Sequence, residues 1–233
     1  MEDKTRKFVY GSKSRGDILG KFATNFQFNL LSFYKDKEIV NLIKEIKKEV
    51  DFAFYPYEAF MIYSLVKTQI ALEGDLAEVG VYQGGSAKLI CETKKEKKLY
   101  LFDTFTGLPK VSDDDTHFGQ KHWHENEFSN TSVESIKKLL NNYDNVHIVK
   151  GKFPDSGKDI LDKKFCFVHL DVDLYESTIK SLRFFFPKMT QGGIILVHDY
   201  HSDGIQKAFQ EFKNETSLHL IELTGSQAII IKN

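Results

Sequence analysis

Two apolar runs of this chain end in acids. Phe165-Cys166-Phe167-Val168-His169-Leu170 leads into Asp171-Val172-Asp173, and Ile194-Ile195-Leu196-Val197 leads into His198-Asp199-Tyr200. Short, continuous apolar runs read as strands buried on both faces, so each places carboxylates just past a strand end. Adjacent strands lie about 4.8 Å apart; if these two are neighbours, Asp171 and Asp199 converge on one ion with His198 beside them. A hard, oxygen-rich site suits Mg²⁺, whose remaining positions are filled by water and substrate oxygens. A vicinal diol is a natural chelate for it. A cation there lowers the pKa of a hydroxyl and a neighbouring base removes its proton. Asp173 is the first candidate base, and His198 and His201 compete because histidine titrates nearest to working pH. The alternative is that these acids only cap helices beginning near Glu176 and Gly204.

A second constellation lies upstream. Glu78-Val79-Gly80-Val81-Tyr82-Gln83-Gly84-Gly85-Ser86 falls where a strand gives way to a helix, and its glycines permit a tight turn and close backbone approach to a nucleotide-like ligand. The spacing is not the Gly-x-Gly-x-x-Gly that seats a pyrophosphate on a helix N-terminus. S-adenosylmethionine has no phosphate to seat there. Roughly 20 residues on, Asp103 ends the next strand, beside Thr104, where a carboxylate accepts from ribose hydroxyls. Glu78 and Asp103 then grip opposite ends of the cofactor, with Gly80, Tyr82, Gly84 and Ser86 on the turn. After a third strand, Gly151 admits the adenine ring and Phe153 packs on its face, unless Phe153 only fills core. Asp171 borders the same pocket. The plainer reading is that the glycines turn the chain and Asp103 caps a loop.

These residues need a scaffold, and the spacing predicts one. Strand-like runs at Asp75 to Val81, Lys98 to Asp103, Val146 to Lys150, Phe165 to Leu170 and Gly193 to Val197 alternate with helical stretches at Ser86 to Lys94, Ser132 to Asn141, Tyr175 to Phe186 and Ile205 to Asn214. Alternation predicts an α/β fold, a parallel sheet covered on both faces. Leu218 to Leu223 and Gln227 to Lys232 are joined by Thr224-Gly225-Ser226, a connection that allows only an antiparallel pair. A mostly parallel seven-stranded sheet with a C-terminal antiparallel strand is the Rossmann-like class I methyltransferase arrangement and disfavours a nicotinamide domain. Ahead of it, Ile39, Leu42, Ile43, Ile46 and Val50 and a run from Glu58 to Leu72 predict a helical cap, and residues 1 to about 20 read as a mobile arm. The domain division is 1–72, arm and cap, and 73–233, cofactor-binding domain. Residues 111–130, with His117, His122, Trp123 and His124, read as a substrate lid; a zinc site from the three histidines lacks supporting cysteines or a His-Glu-x-x-His helix.

The chain has 233 residues, 41% apolar and 28% charged, with a net charge of -1. That predicts one sizeable core and no field to recruit nucleic acid or an anionic membrane. Cys91 and Cys166 lack metal or redox spacing and read as packing residues. No stretch is long and apolar enough for a signal peptide or a membrane span, so the expected setting is cytoplasmic. The helices before Asp75 and the arm are the expected contacts of any homo-oligomer.

Taken together, these motifs and Asp103-Thr104-Phe105-Thr106-Gly107-Leu108-Pro109, Gly151 through Asp155, Asp171 through Thr178 and Gly192-Gly193 through Asp199-Tyr200 resemble the macrocin O-methyltransferase family, which includes the mycinamicin and novobiocin sugar O-methyltransferases. The resemblance covers about residues 57 to 215. It implies S-adenosylmethionine-dependent, Mg²⁺-assisted methylation of a hydroxyl on a sugar or glycosylated small molecule. It also implies a metal ligand and a base from Asp171 and Asp173, and further ligands from the later pair. Here the first acid of that pair is His198, which shifts metal choice or abolishes metal binding. The rival expectations are a protein that holds S-adenosylmethionine without transferring methyl, and a metal-dependent hydroxylase-like enzyme on the same fold.

Overall fold

The structure, a computed structural model, describes residues 13–52 and 54–233, with side chains from Leu19 onward. Three helices come first: α1 (Lys13–Tyr34), α2 (Lys37–Glu49) and α3 (Pro56–Gln69). Helix α2 begins where Asp36 accepts from the Glu38 amide at 2.9 Å, carries Lys47 and Lys48 in its last turn, and buries Val40, Ile43 and Ile46 at helical spacing. Proline at the first position starts α3 without wasting an amide.

Strands and helices then alternate: β1 (Asp75–Val79), α4 (Gly85–Cys91), β2 (Leu99–Asp103), the two-residue strands β3 (Thr116–His117) and β4 (Gln120–Lys121), α5 (Val133–Leu139), β5 (Val146–Lys150), β6 (Phe165–Leu170), α6 (Tyr175–Phe185), β7 (Met189–Val197), α7 (Asp203–Glu215), β8 (His219–Glu222) and β9 (Ala228–Ile231). The main sheet has seven strands in the order β5-β2-β1-β6-β7-β9-β8. All pairings are parallel except those of β9, which runs antiparallel to both β7 and β8. The sheet, its antiparallel insertion and the terminal hairpin are those expected from the sequence.

Register does the positioning. Leu170 on β6 pairs with Val197 on β7 and with Val79 on β1, so Asp171, His198 and Gly80 emerge side by side at the carboxyl edge. The chain departs from β1 in one direction through β2 and β5 and in the other through β6 and β7, and ligands of open α/β sheets bind at such a switch point. One face of the sheet packs on α2 to α5 and the other on α6 and α7, giving two apolar layers. Both cysteines are free and buried in them, and burial pushes the Cys91 thiol up to about 12, as packing residues require.

Two expectations change. Residues 13–20, read as part of a mobile arm, belong to α1; Gly16 and Gly20 weaken its helical signal, and Phe22, Phe26 and Phe33 are exposed rather than aligned on a buried face. The rest of the expected arm lies outside the described residues. Strand β7 begins at Met189 rather than Gly193, the Gly192-Gly193 pair being a break in register against β6 rather than a loop. Among the described residues no helix is long and apolar enough to cross a membrane.

Candidate active site

A cavity of about 250 Å³ opens at the switch point. Of the residues singled out in the sequence, Gly80, Tyr82, Asp103, Thr104, Gly151, Phe153, Asp171, Asp173, His198 and Asp199 line it. Gly80 has φ +86°, and a Cβ there would lie 1.8 Å from the Asp171 carbonyl oxygen, so only glycine lets β1 turn beside β6. Asp103 clamps that turn. One carboxylate oxygen accepts from the Val81 and Tyr82 amides at 2.7 and 2.9 Å, and the other from the Phe105 amide at 2.7 Å. Thr104 spends its hydroxyl on the Gly107 carbonyl at 2.8 Å, and Phe153 stacks on Phe185 while still reaching the cavity.

Three expected cofactor contacts do not reach the cavity. Glu78 is fully buried, paired through Oε1 with His169 Nδ1 at 2.7 Å, because the two stand opposite each other in register on the α2–α5 face. Gly84, with φ +83°, lets Ile136 and Leu139 of α5 approach. Ser86 is buried within α4. These residues shape the turn from behind. His201 stands back as well, its ring edge-on to His117 of the 111–130 segment at 4.5 Å.

At the cavity floor Asp171, His198 and Asp199 bring one ligand atom each within 4.8 Å of the others, the grouping of this kind found among the described residues. His198 Nδ1 lies 3.4 Å from Asp171 and 3.1 Å from Asp199. Asp173 and Asp199 both hold positive φ, 59° and 52°, a conformation that for non-glycine residues clusters at functional sites. Burial, reinforced by Asp199, raises Asp171 to about 6, and burial together with Asp199 and Asp171 puts Asp173 well above the usual carboxylate range. Burial alone would lower His198 and raise Asp199. Instead, the facing carboxylates lift His198 well above its ordinary value, and His198 lowers Asp199 to about 2. Acids packed this closely require positive charge, and two carboxylates with an imidazole are a donor set that fits a divalent cation.

The helix-cap alternative for these acids fails. Helices α6 and α7 start after Leu174 and Ser202 with no side-chain cap of their own, and the Tyr175 amide is taken by Asp115 at 2.7 Å. Asp115 belongs to the 111–130 segment, which α7 holds through Asp203: its carboxylate accepts from Thr116 and the Gly119 amide, both at 2.7 Å. Trp123 and Phe128 of this segment line the cavity.

Sequence reasoning missed Glu58. It is buried on α3, where Oε1 accepts from the Ser226 amide and hydroxyl at 2.9 and 2.8 Å and Oε2 lies 3.6 Å from His198 Nε2. Burial opposes its charge, but the His198 imidazole nearby and hydrogen bonds from Ser226 and Tyr55 lower it to about 2. Its one local signal is the helix start, where it accepts from the Tyr55 amide at 2.9 Å. Nothing in the sequence links it to a histidine just past β7.

The strand order, the antiparallel β9 and the glycine turn at the switch point define the class I methyltransferase fold. The macrocin-O-methyltransferase (TylF) family model matches residues 62–224, most of the chain, and the chain belongs to that family. It is similar to an 8-demethyl-8-(2,3-dimethoxy-alpha-L-rhamnosyl)-tetracenomycin-C 4'-O-methyltransferase of Streptomyces olivaceus, 27% identical over 162 residues that cover 64% of this chain and 62% of that one. A demethyldecarbamoylnovobiocin O-methyltransferase of Streptomyces niveus is 30% identical over 138 residues, 54% and 53% of the two chains. The chain thus spans less than two thirds of the length of these relatives. A solved O-methyltransferase from Bacillus cereus in complex with SAH shares the fold with a TM-score of 0.59 at 14% identity, covering 88% of this chain and 96% of that one.

Proposed function

We propose that the chain transfers the methyl group of S-adenosylmethionine to a hydroxyl of a sugar or glycosylated small molecule, assisted by a divalent cation for which the sequence expectation is Mg²⁺. One observation carries this reading: the Asp171–His198–Asp199 cluster opens into the same cavity as the glycine turn and its Asp103 clamp. The rhamnosyl substrate in the name of the Streptomyces olivaceus relative supports a sugar acceptor.

When bound, the sulfonium supplies an electrophilic methyl group and the cation lowers the pKa of the acceptor hydroxyl. The chain supplies alignment and proton removal. Gly80 and Gly151 would let the cofactor approach the backbone, Asp103 fixes the turn that would receive it, and Asp171, His198 and Asp199 would hold the cation. Asp173, on the same cavity wall, would accept the proton that the acceptor hydroxyl gives up on methylation. His201, the competing base, stands back against His117, which favours Asp173 for this role. Trp123 and Phe128 offer the sugar an apolar face and help exclude water.

The test is mass-spectrometric detection of methylated product with a panel of rhamnosylated and other diol acceptors, before and after chelation. Methylated product and S-adenosylhomocysteine in equal amounts, lost on chelation and in Asp171→Ala, are expected. Cofactor binding without product on every acceptor would favour a non-methylating binder, and full activity in both Asp171→Ala and Asp199→Ala would remove the cation from the account.

A further inference from the structure

We infer that His198 ligates through Nδ1, held in one tautomer by Ser226 and Glu58, and that the centre therefore takes a nitrogen-accepting transition ion such as Fe²⁺, Co²⁺, Ni²⁺ or Zn²⁺ in preference to Mg²⁺. This rests on the cation site proposed above and specifies its occupant. Ser226 Oγ lies 2.8 Å from Glu58 Oε1 and 3.1 Å from His198 Nε2. An ionised carboxylate only accepts, so the serine hydrogen goes to Glu58 and the serine oxygen is left to accept from Nε2–H. Glu58 Oε2, 3.6 Å from the same nitrogen, favours that proton too. Phe54 fixes the ring plane by an edge contact at 4.6 Å between centroids.

With Nε2 held as the hydrogen-bearing nitrogen, Nδ1 is the atom whose lone pair the ring would offer to a cation. That atom is buried, makes no hydrogen bond, and faces Asp171 and Asp199 oxygens at 3.4 and 3.1 Å. Two carboxylates and this nitrogen thus converge on one point, where a cation would meet all three donors. A ligating imidazole whose other N–H is held by an outer carboxylate is the usual build of a histidine metal site. Imidazole suits first-row transition ions, whereas Mg²⁺ takes oxygen donors. His198 thereby supplies a nitrogen donor between two oxygen donors, and Glu58 on the helical cap becomes its positioning residue.

The experiment is calorimetric titration of Co²⁺ and of Mg²⁺ into the wild type, His198→Asp and Glu58→Gln, with the visible absorption of bound Co²⁺ recorded alongside. The wild type binds Co²⁺ the more tightly, and His198→Asp narrows the ratio by about 10-fold or more. Loss of an outer-shell partner costs about 10–100-fold in affinity, so Glu58→Gln weakens Co²⁺ by that amount and Mg²⁺ far less. If a variant misfolds, nuclear magnetic resonance of isotope-labelled histidine in the wild type with Zn²⁺ answers alone: a metal-shifted Nδ1 and a protonated Nε2 on His198 are expected. An unshifted Nδ1, or a Co²⁺ to Mg²⁺ ratio unaltered in His198→Asp, would overturn the nitrogen ligand and leave the cation site standing. Absence of binding by either ion to folded wild type would overturn the cation site itself.

Discussion

At the level of single residues, the site divides into atoms that must be absent and atoms that must be present. Gly80→Ala places a methyl group against the Asp171 carbonyl oxygen, at 1.8 Å before any relaxation, in a backbone conformation that L-residues rarely adopt. Overpacking and positive φ together cost roughly 3 kcal/mol, and urea unfolding of the variant should show a loss of that size. That the acids past the two strand ends would meet was legible because a buried strand that stops at an acid is conspicuous. Glu78 and Ser86 were misplaced because a motif gives the order of residues but not which face of the sheet each side chain takes. Glu58 was illegible for a related reason: its partner Ser226 lies 168 positions away, a distance that only the closed sheet and cap resolve.

Among the elements, the lid is the one whose behaviour follows from charge. His117 is buried beside His201 and His122, and burial first, then those neighbours, lower it from 6.5 to about 4. A depressed histidine stabilises the closed arrangement above the unfolded value, and that stability is lost as pH falls from about 6.5 towards about 4, because the open lid binds the proton first. Amide exchange across residues 111–130 should accelerate over that window, and His117→Phe should remove the dependence. Asp115 is the other hinge point, accepting from Ser112 at 2.7 and 2.6 Å and from the first amide of α6 at 2.7 Å. Asp115→Ala loses a cap worth about 1 kcal/mol and frees the lid, so exchange should rise in both segments. The irregular course of residues 111–130 was legible in their composition, but their anchoring was not, since the acids that hold them resemble solvated loop residues.

Across the whole molecule, the cap and the sheet share one apolar layer. Ile43 and Ile46 of α2 and Ile62 and Val66 of α3 are buried with Leu76 and Leu89. Each such side chain is worth about 1.5–3 kcal/mol, so the four together rival the 5–15 kcal/mol typical of a whole domain. A fragment beginning at Glu73 should therefore fail to fold, whereas residues 13–233 should unfold in a single cooperative calorimetric transition. The sheet was readable almost strand for strand, because buried parallel strands are uninterrupted apolar runs.

The account stands most directly on cofactor binding in the switch-point cavity. Calorimetric titration of S-adenosylmethionine into wild type, Asp103→Ala and Asp171→Ala should give one site in the wild type, affinity weakened about 10-fold or more where the three amide contacts of Asp103 are lost, and near wild-type affinity in Asp171→Ala. No heat on titrating folded wild type would contradict the assignment of the cavity, and with it the proposed methyl transfer.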